Sequence, residues 1–189
     1  MESETTFTRQ QKQAACAFAW CYSSTTAPHN EAISMPESRT PVYTGGCQCG
    51  AVRYALYAEP TNPHVCHCRM CQKAFGGYFA PLAGVASGDF AWTRGHPGVF
   101  KSSEAAERGF CRDCGTPLYF RYVDKDRISV SLGSLDNPAR VIPAKQFGIE
   151  GRVPFLESIT SLPGTRTEDD VPQQEMARLK SRQHPDRPG

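Results

Sequence analysis

Phe110-Cys111-Arg112-Asp113-Cys114-Gly115-Thr116-Pro117-Leu118-Tyr119-Phe120 (FCRDCGTPLYF) is the stretch on which the fold turns. Two thiols two residues apart can take one metal ion from a tight turn. Gly115 follows where the chain needs permissive φ/ψ and where backbone N–H groups approach the sulfurs. A C-x-x-C pair also serves redox chemistry, but there it opens a helix within an α/β pattern. Here Phe110 precedes the pair and an apolar Pro117–Phe120 run follows, so the setting is β on both sides.

Upstream, Gly46-Cys47-Gln48-Cys49-Gly50 supplies a second pair. A structural zinc ion wants four ligands in a tetrahedron. Cys47 and Cys49 with Cys111 and Cys114 make one closed site, and a clip across so long a loop removes much chain entropy. Between them, Cys66-His67-Cys68-Arg69-Met70-Cys71 leaves three more thiols. Three protein ligands with an open fourth position is the pattern of a reactive zinc site, which makes Cys66, Cys68 and Cys71 the candidate catalytic residues. Thiolate donors select a soft or borderline metal, zinc before others, and exclude magnesium and calcium. An iron–sulfur cluster lacks a fourth nearby cysteine. His67 lies between two ligating cysteines and reads as a supporting residue before a ligand. Buried free thiols would explain any one pair, but not seven cysteines grouped two, three and two. Cys16 and Cys21 fall outside the pattern and receive no role.

The chain has 189 residues and nine cysteines. Its length suits one domain with loose ends. Scattered cysteines behind a secretory signal would indicate disulfides; close groups indicate metal. The apolar run Ala14–Tyr22 is too short to span a bilayer and makes a poor signal peptide, so a reducing cytoplasm is the expected compartment. A net charge of +2 gives no electrostatic case for nucleic acid or an anionic membrane.

Residues 1–40 are Ser-, Thr-, Gln- and Ala-rich and lack strand alternation. They read as an N-terminal extension, either without fixed structure or upstream of a real start at Met35. From Val42 the pattern is β. Val52, Tyr54 and Leu56 alternate with Arg53, Ala55 and Tyr57, the period of a half-buried strand. Tyr78–Val85, Phe90–Trp92, Val99–Lys101, Pro117–Tyr122, Ile128–Leu132 and Lys145–Ile149 are further short strands, and Arg69–Phe75 is a helix of about two turns. Many short strands indicate a sandwich or folded-over sheet. The zinc domain covers 41–165. The charged, Pro-rich tail 166–189 is expected to be mostly disordered, with room for one short helix in Gln173–Arg182.

Four blocks carry a family resemblance: GGCQCGAVRY (Gly45–Tyr54), CHCRMCQKAFGGYFAP (Cys66–Pro81), RGFCRDCGTPLYFR (Arg108–Arg121) and SLGSLDNP (Ser131–Pro138). Over Val42–Leu162 the chain resembles the glutathione-dependent formaldehyde-activating enzyme family, also called the centromere protein V family. The resemblance implies a mainly β, single-domain β-tent fold, zinc-ribbon-like and similar to methionine sulfoxide reductase B. It implies two zinc ions per chain, one on Cys47, Cys49, Cys111 and Cys114, the other on Cys66, Cys68 and Cys71. Members often carry a Trp-containing segment late in the domain, where this chain reads Gly151-Arg152-Val153-Pro154-Phe155.

The family reaction joins glutathione, as cosubstrate, to formaldehyde. The expected activity is a zinc-dependent carbon–sulfur lyase that makes or cleaves S-hydroxymethylglutathione or a related adduct. Its partners are then a small-molecule thiol and an aldehyde. An open zinc site holding the thiol as thiolate gives that chemistry a physical basis. Arg69 or Lys73 could hold a glutathione carboxylate, or both could be solvated charges on an exposed helix. The rival from another class is a non-catalytic, zinc-stabilised module that binds glutathione or docks a protein. A sulfoxide-reductase-type redox role ranks last, because it needs a free cysteine poised beside a resolving one.

Overall fold

A computed structural model gives the structure and describes residues 39–187. Met35, Cys16, Cys21 and nearly all of the expected extension lie outside the described residues. So do residues 188 and 189.

Two sheets share the core. The smaller one runs β1 (Tyr43–Gly46), β2 (Arg53–Leu56) and β5 (Phe90–Arg94), antiparallel, with β2 in the middle. The larger holds β3 (Thr61–Cys66), β4 (Ala80–Ala86), β6 (Gly98–Lys101), β7 (Ala106–Phe110), β8 (Pro117–Tyr122), β9 (Arg127–Ser131) and β10 (Lys145–Phe147). Their spatial order is β10-β3-β4-β9-β8-β7-β6. Every pairing is antiparallel except β10 on β3. Neither sheet closes into a barrel. The domain is mainly β, and its two cysteine-bearing turns suit a zinc-ribbon-like fold.

Tyr54, Leu56, Leu118 and Val130 fill the space between the sheets, each at most 1% exposed. Burying one such aliphatic side chain stabilises by about 1.5–3 kcal/mol. Tyr54 stacks on Phe90 with centroids 5.4 Å apart, and its hydroxyl lies 2.8 Å from Ser134 Oγ, so its polar end is satisfied.

One expectation needs correction. β2 is not half-buried: Arg53 and Ala55 are as buried as Tyr54 and Leu56. The cause is its central place in the small sheet and a polar cover on the second face. Arg53 Nη2 donates to Asp136 Oδ2 at 2.5 Å and to the Arg187 carbonyl at 3.0 Å. That contact also bears on the tail. The tail 166–189, expected to be mostly disordered with room for one short helix in Gln173–Arg182, carries two one-turn helices, α2 (Thr167–Asp170) and, inside that range, α3 (Gln173–Met176). It then returns to the small sheet, where the His184 N–H donates to the Gln48 carbonyl at 2.8 Å. Backbone hydrogen bonds, not an apolar face, hold it there, and hydropathy does not register them. Among the described residues no helix is long and apolar enough to cross a membrane.

Candidate metal centres

The two turns that carry the cysteine pairs share one construction. The Cys47 N–H donates to the Val52 carbonyl at 2.9 Å and the Gly50 N–H to the Cys47 carbonyl at 3.1 Å. The Cys111 N–H donates to Thr116 at 2.9 Å and the Gly115 N–H to Cys111 at 3.0 Å. Gly50 and Gly115 both sit at φ +77°, left-handed backbone that glycine adopts without steric cost. Each turn thereby presents its sulfurs to the other.

The four sulfurs of Cys47, Cys49, Cys111 and Cys114 lie within 4.8 Å of one another, and none is in a disulfide. Cys47 Sγ is 3.5 Å from Cys49 Sγ, which is 3.7 Å from Cys111 Sγ. A tetrahedron with Zn–S of about 2.3 Å has edges of about 3.8 Å, so the cage fits a zinc ion. The Val52 N–H donates to Cys47 Sγ at 3.2 Å, as N–H groups do around metal thiolates. Burial opposes ionisation of Cys114. The Thr116 hydroxyl and N–H and the Cys49 N–H outweigh it and bring the thiol down to about 6.

The second group is local. β3 ends at Cys66, and α1 (Arg69–Phe75) begins directly after Cys68 and carries Cys71 one turn on. Gly76 at φ +62° ends the helix. The three sulfurs again lie within 4.8 Å of one another. His67 stands outside the group. Its ring is wholly buried, Nε2 lies 2.9 Å from Gln146 Oε1, and Phe79 packs at 5.8 Å.

Electrostatics divides the trio. Burial, then crowding by Cys71 and Cys68, pushes the Cys66 thiol up to about 12. Burial opposes ionisation of Cys68 too, but the Cys71 N–H, the neighbouring thiols and the charge of Arg108 bring it below the ordinary thiol value. Cys71 is raised, burial outweighing Arg108.

A cavity of about 440 Å³ lies against these sulfurs, and Cys66, Cys68 and Cys71 all line it. Its other walls include His64, Phe120, Phe147 and four cations, Arg108, Arg121, Lys125 and Arg127, with no carboxylate. The expected carboxylate holders Arg69 and Lys73 are exposed and line a separate cavity of about 400 Å³ with Phe100 and Ser102. The cations that do share the trio's cavity lie on β7, β8 and β9 and the turn between the last two, far along the chain from Cys66. Arg108 left one sequence signal, a charge in register with buried Ala106 on the inward side of β7.

A family model described as glutathione-dependent formaldehyde-activating enzyme matches residues 42–150, more than half of the chain. A Schizosaccharomyces pombe protein named only as an uncharacterised lyase is 32% identical over 84 residues, which are 44% of this chain and 61% of that protein. A Halomonas elongata protein, provisionally named as a glutathione-dependent formaldehyde-activating enzyme, is 30% identical over 83 residues, 40% of this chain and 53% of that one. The chain thus spans between half and two thirds of the length of these relatives. A Rhodobacter sphaeroides protein of known crystal structure aligns at a TM-score of 0.45 with 23% identity, covering 55% of this chain and 98% of that one.

Proposed function

The chain belongs to the glutathione-dependent formaldehyde-activating enzyme family, and from that premise we propose that it is a zinc-dependent carbon–sulfur lyase acting on S-hydroxymethylglutathione or a related glutathione–aldehyde adduct. One observation carries this reading. Three convergent sulfurs face a cavity large enough for a small thiol, and the nearby histidine, His67, is turned away from them. Cys47, Cys49, Cys111 and Cys114 would hold a structural zinc ion, and Cys66, Cys68 and Cys71 a second one. A zinc ion at the second set would lower the pKa of a bound thiol and keep its sulfur nucleophilic.

The chain's own groups then have separable tasks. The cationic walls draw in glutathione, which carries two carboxylates. Phe120 and Phe147 narrow the apolar side of the cavity. His64 is the proton carrier in this reading. Its Nδ1–H donates to the Asn62 carbonyl at 2.8 Å, which leaves Nε2 as the acceptor in the neutral ring. Nε2 takes the thiol proton, the sulfur forms its bond to the aldehyde carbon, the C=O electron pair moves to oxygen, and Nε2–H returns the proton there. Cleavage is the reverse.

The uncatalysed addition of thiol to formaldehyde is itself ready, so the decisive measurement is rate. Adduct formation from glutathione and formaldehyde should be faster with catalytic amounts of protein than without. An unchanged rate together with measurable glutathione binding would select the non-catalytic carrier instead.

A further inference from the structure

Arg108 is only 7% exposed, yet it lines the cavity against the trio, the one beside Arg69 and Lys73, and a third of about 240 Å³. No carboxylate pairs with it among the described residues. Nη2–H points to Cys71 Sγ at 3.4 Å, and the Phe120 ring lies 5.0 Å away as a cation–π partner. Nε–H and Nη1–H are buried and have no acceptor among the described residues.

A guanidinium stays protonated in proteins. Each buried donor left unmet costs about 1–3 kcal/mol, more for a charged group. A protein keeps such donors at a cleft when a visitor to the cleft satisfies them. The visitor must be an acceptor and is favoured if anionic, because cations and no carboxylates surround it. Its place is narrow. The two free nitrogens belong to the same small rigid plane whose third nitrogen touches Cys71. An oxygen serving either of them, on an edge shared with Nη2, therefore lies close to the sulfur of a thiol set against the trio. A remote carboxylate on a long, flexible peptide thiol meets that condition poorly. An oxygen two or three bonds from the sulfur meets it well.

Resting on the lyase reading, we propose that Arg108 binds, through one of its two free N–H groups, each of which shares an edge of the guanidinium with the Nη2 that touches Cys71, an oxyanion carried close to the ligand's sulfur, and so is a catalytic residue for adduct formation. As the carbon–sulfur bond forms and the C=O electron pair moves to oxygen, the guanidinium holds that charge until the proton arrives. The ligand class is a small thiol, or thiol adduct, with oxygen beside its sulfur.

The probes are mercaptoacetate, with a carboxylate next to the sulfur-bearing carbon, and propanethiol, of similar size without one. Calorimetry on the metal-loaded full chain should give mercaptoacetate the tighter binding by about tenfold, the value of one charge-assisted contact. Arg108→Gln should bring the two thiols within about twofold while leaving propanethiol unchanged. Arg108→Lys, which keeps the charge but not the fork, should retain only part of the preference and decides the matter if the glutamine variant does not fold. In turnover, Arg108→Lys should lower kcat with little change in KM for glutathione. Equal binding of both thiols by the wild type, or a preference intact in either variant, overturns the inference alone. If neither thiol binds the wild type, the thiol-site reading fails and the inference falls with it.

Discussion

Cys66 and Cys68 flank one histidine, and their thiols are displaced in opposite directions, Cys66 up to about 12 and Cys68 down. The thiolate is the reactive form, so without metal the two should differ sharply toward an alkylating agent. Mild chelation of the trio followed by iodoacetamide at neutral pH should label Cys68 well ahead of Cys66, as read by peptide mass mapping. Equal labelling would show that burial and the N–H of Cys71 do not divide them. At this scale the grouping of the seven cysteines into a set of four and a set of three was legible because spacing within a turn is a local property that sequence displays. Arg108 was not, because its meeting with Cys71 spans 37 residues and depends on which strands become neighbours. Arg69 and Lys73 were named for their closeness in sequence to the trio, either as carboxylate holders or as solvated charges, and they line a neighbouring cavity that shares Arg108.

Among the elements, α1 occupies the residues its sequence indicated, Arg69–Phe75, and β8 likewise, Pro117–Tyr122. Both have periodic patterns and clear breakers at an end. β3 has no regular alternation to read: it contains Pro63, Asn62 takes φ +52°, and the register with β4 slips between Thr61 and His64. β7 escaped notice because Glu107 and Arg108 hide its alternation. The loop after β10 shows how tightly such pieces lock together. Gly148 lies at φ +61°, and a Cβ there would stand 2.8 Å from the Cys68 backbone nitrogen. Gly148→Ala should therefore displace the start of α1 at a cost of about 1–3 kcal/mol. Metal content should fall from two ions per chain toward one, with the circular dichroism spectrum largely retained. Two ions still bound would mean that the loop yields and the trio does not.

For the molecule as a whole, the two cysteine groups would bear different loads if each holds a metal ion. The four-cysteine set joins the β1–β2 turn to the turn between β7 and β8, and free energy of metal binding there would be free energy of folding. The trio joins residues already close in the chain. Cys114→Ser should therefore abolish cooperative unfolding and yield little soluble protein, whereas Cys68→Ser should fold, lose one ion and lose glutathione binding. Chelator titration should run in two stages, the three-ligand site emptying first without spectral change and the β signal collapsing only in the second. A single stage would mean that the trio, too, supports the fold. The same division governs the order in which the chain could load metal as it is made. Cys47, Cys49, Cys66, Cys68 and Cys71 leave the ribosome ahead of Cys111 and Cys114. With Cys16 and Cys21, seven thiols are then free to trap an ion in a combination different from the two sets of the folded domain. Reaching the native arrangement requires ligand exchange when the later pair emerges, so a sulfur-rich nascent chain of this design profits from a metal supply that is buffered and slow.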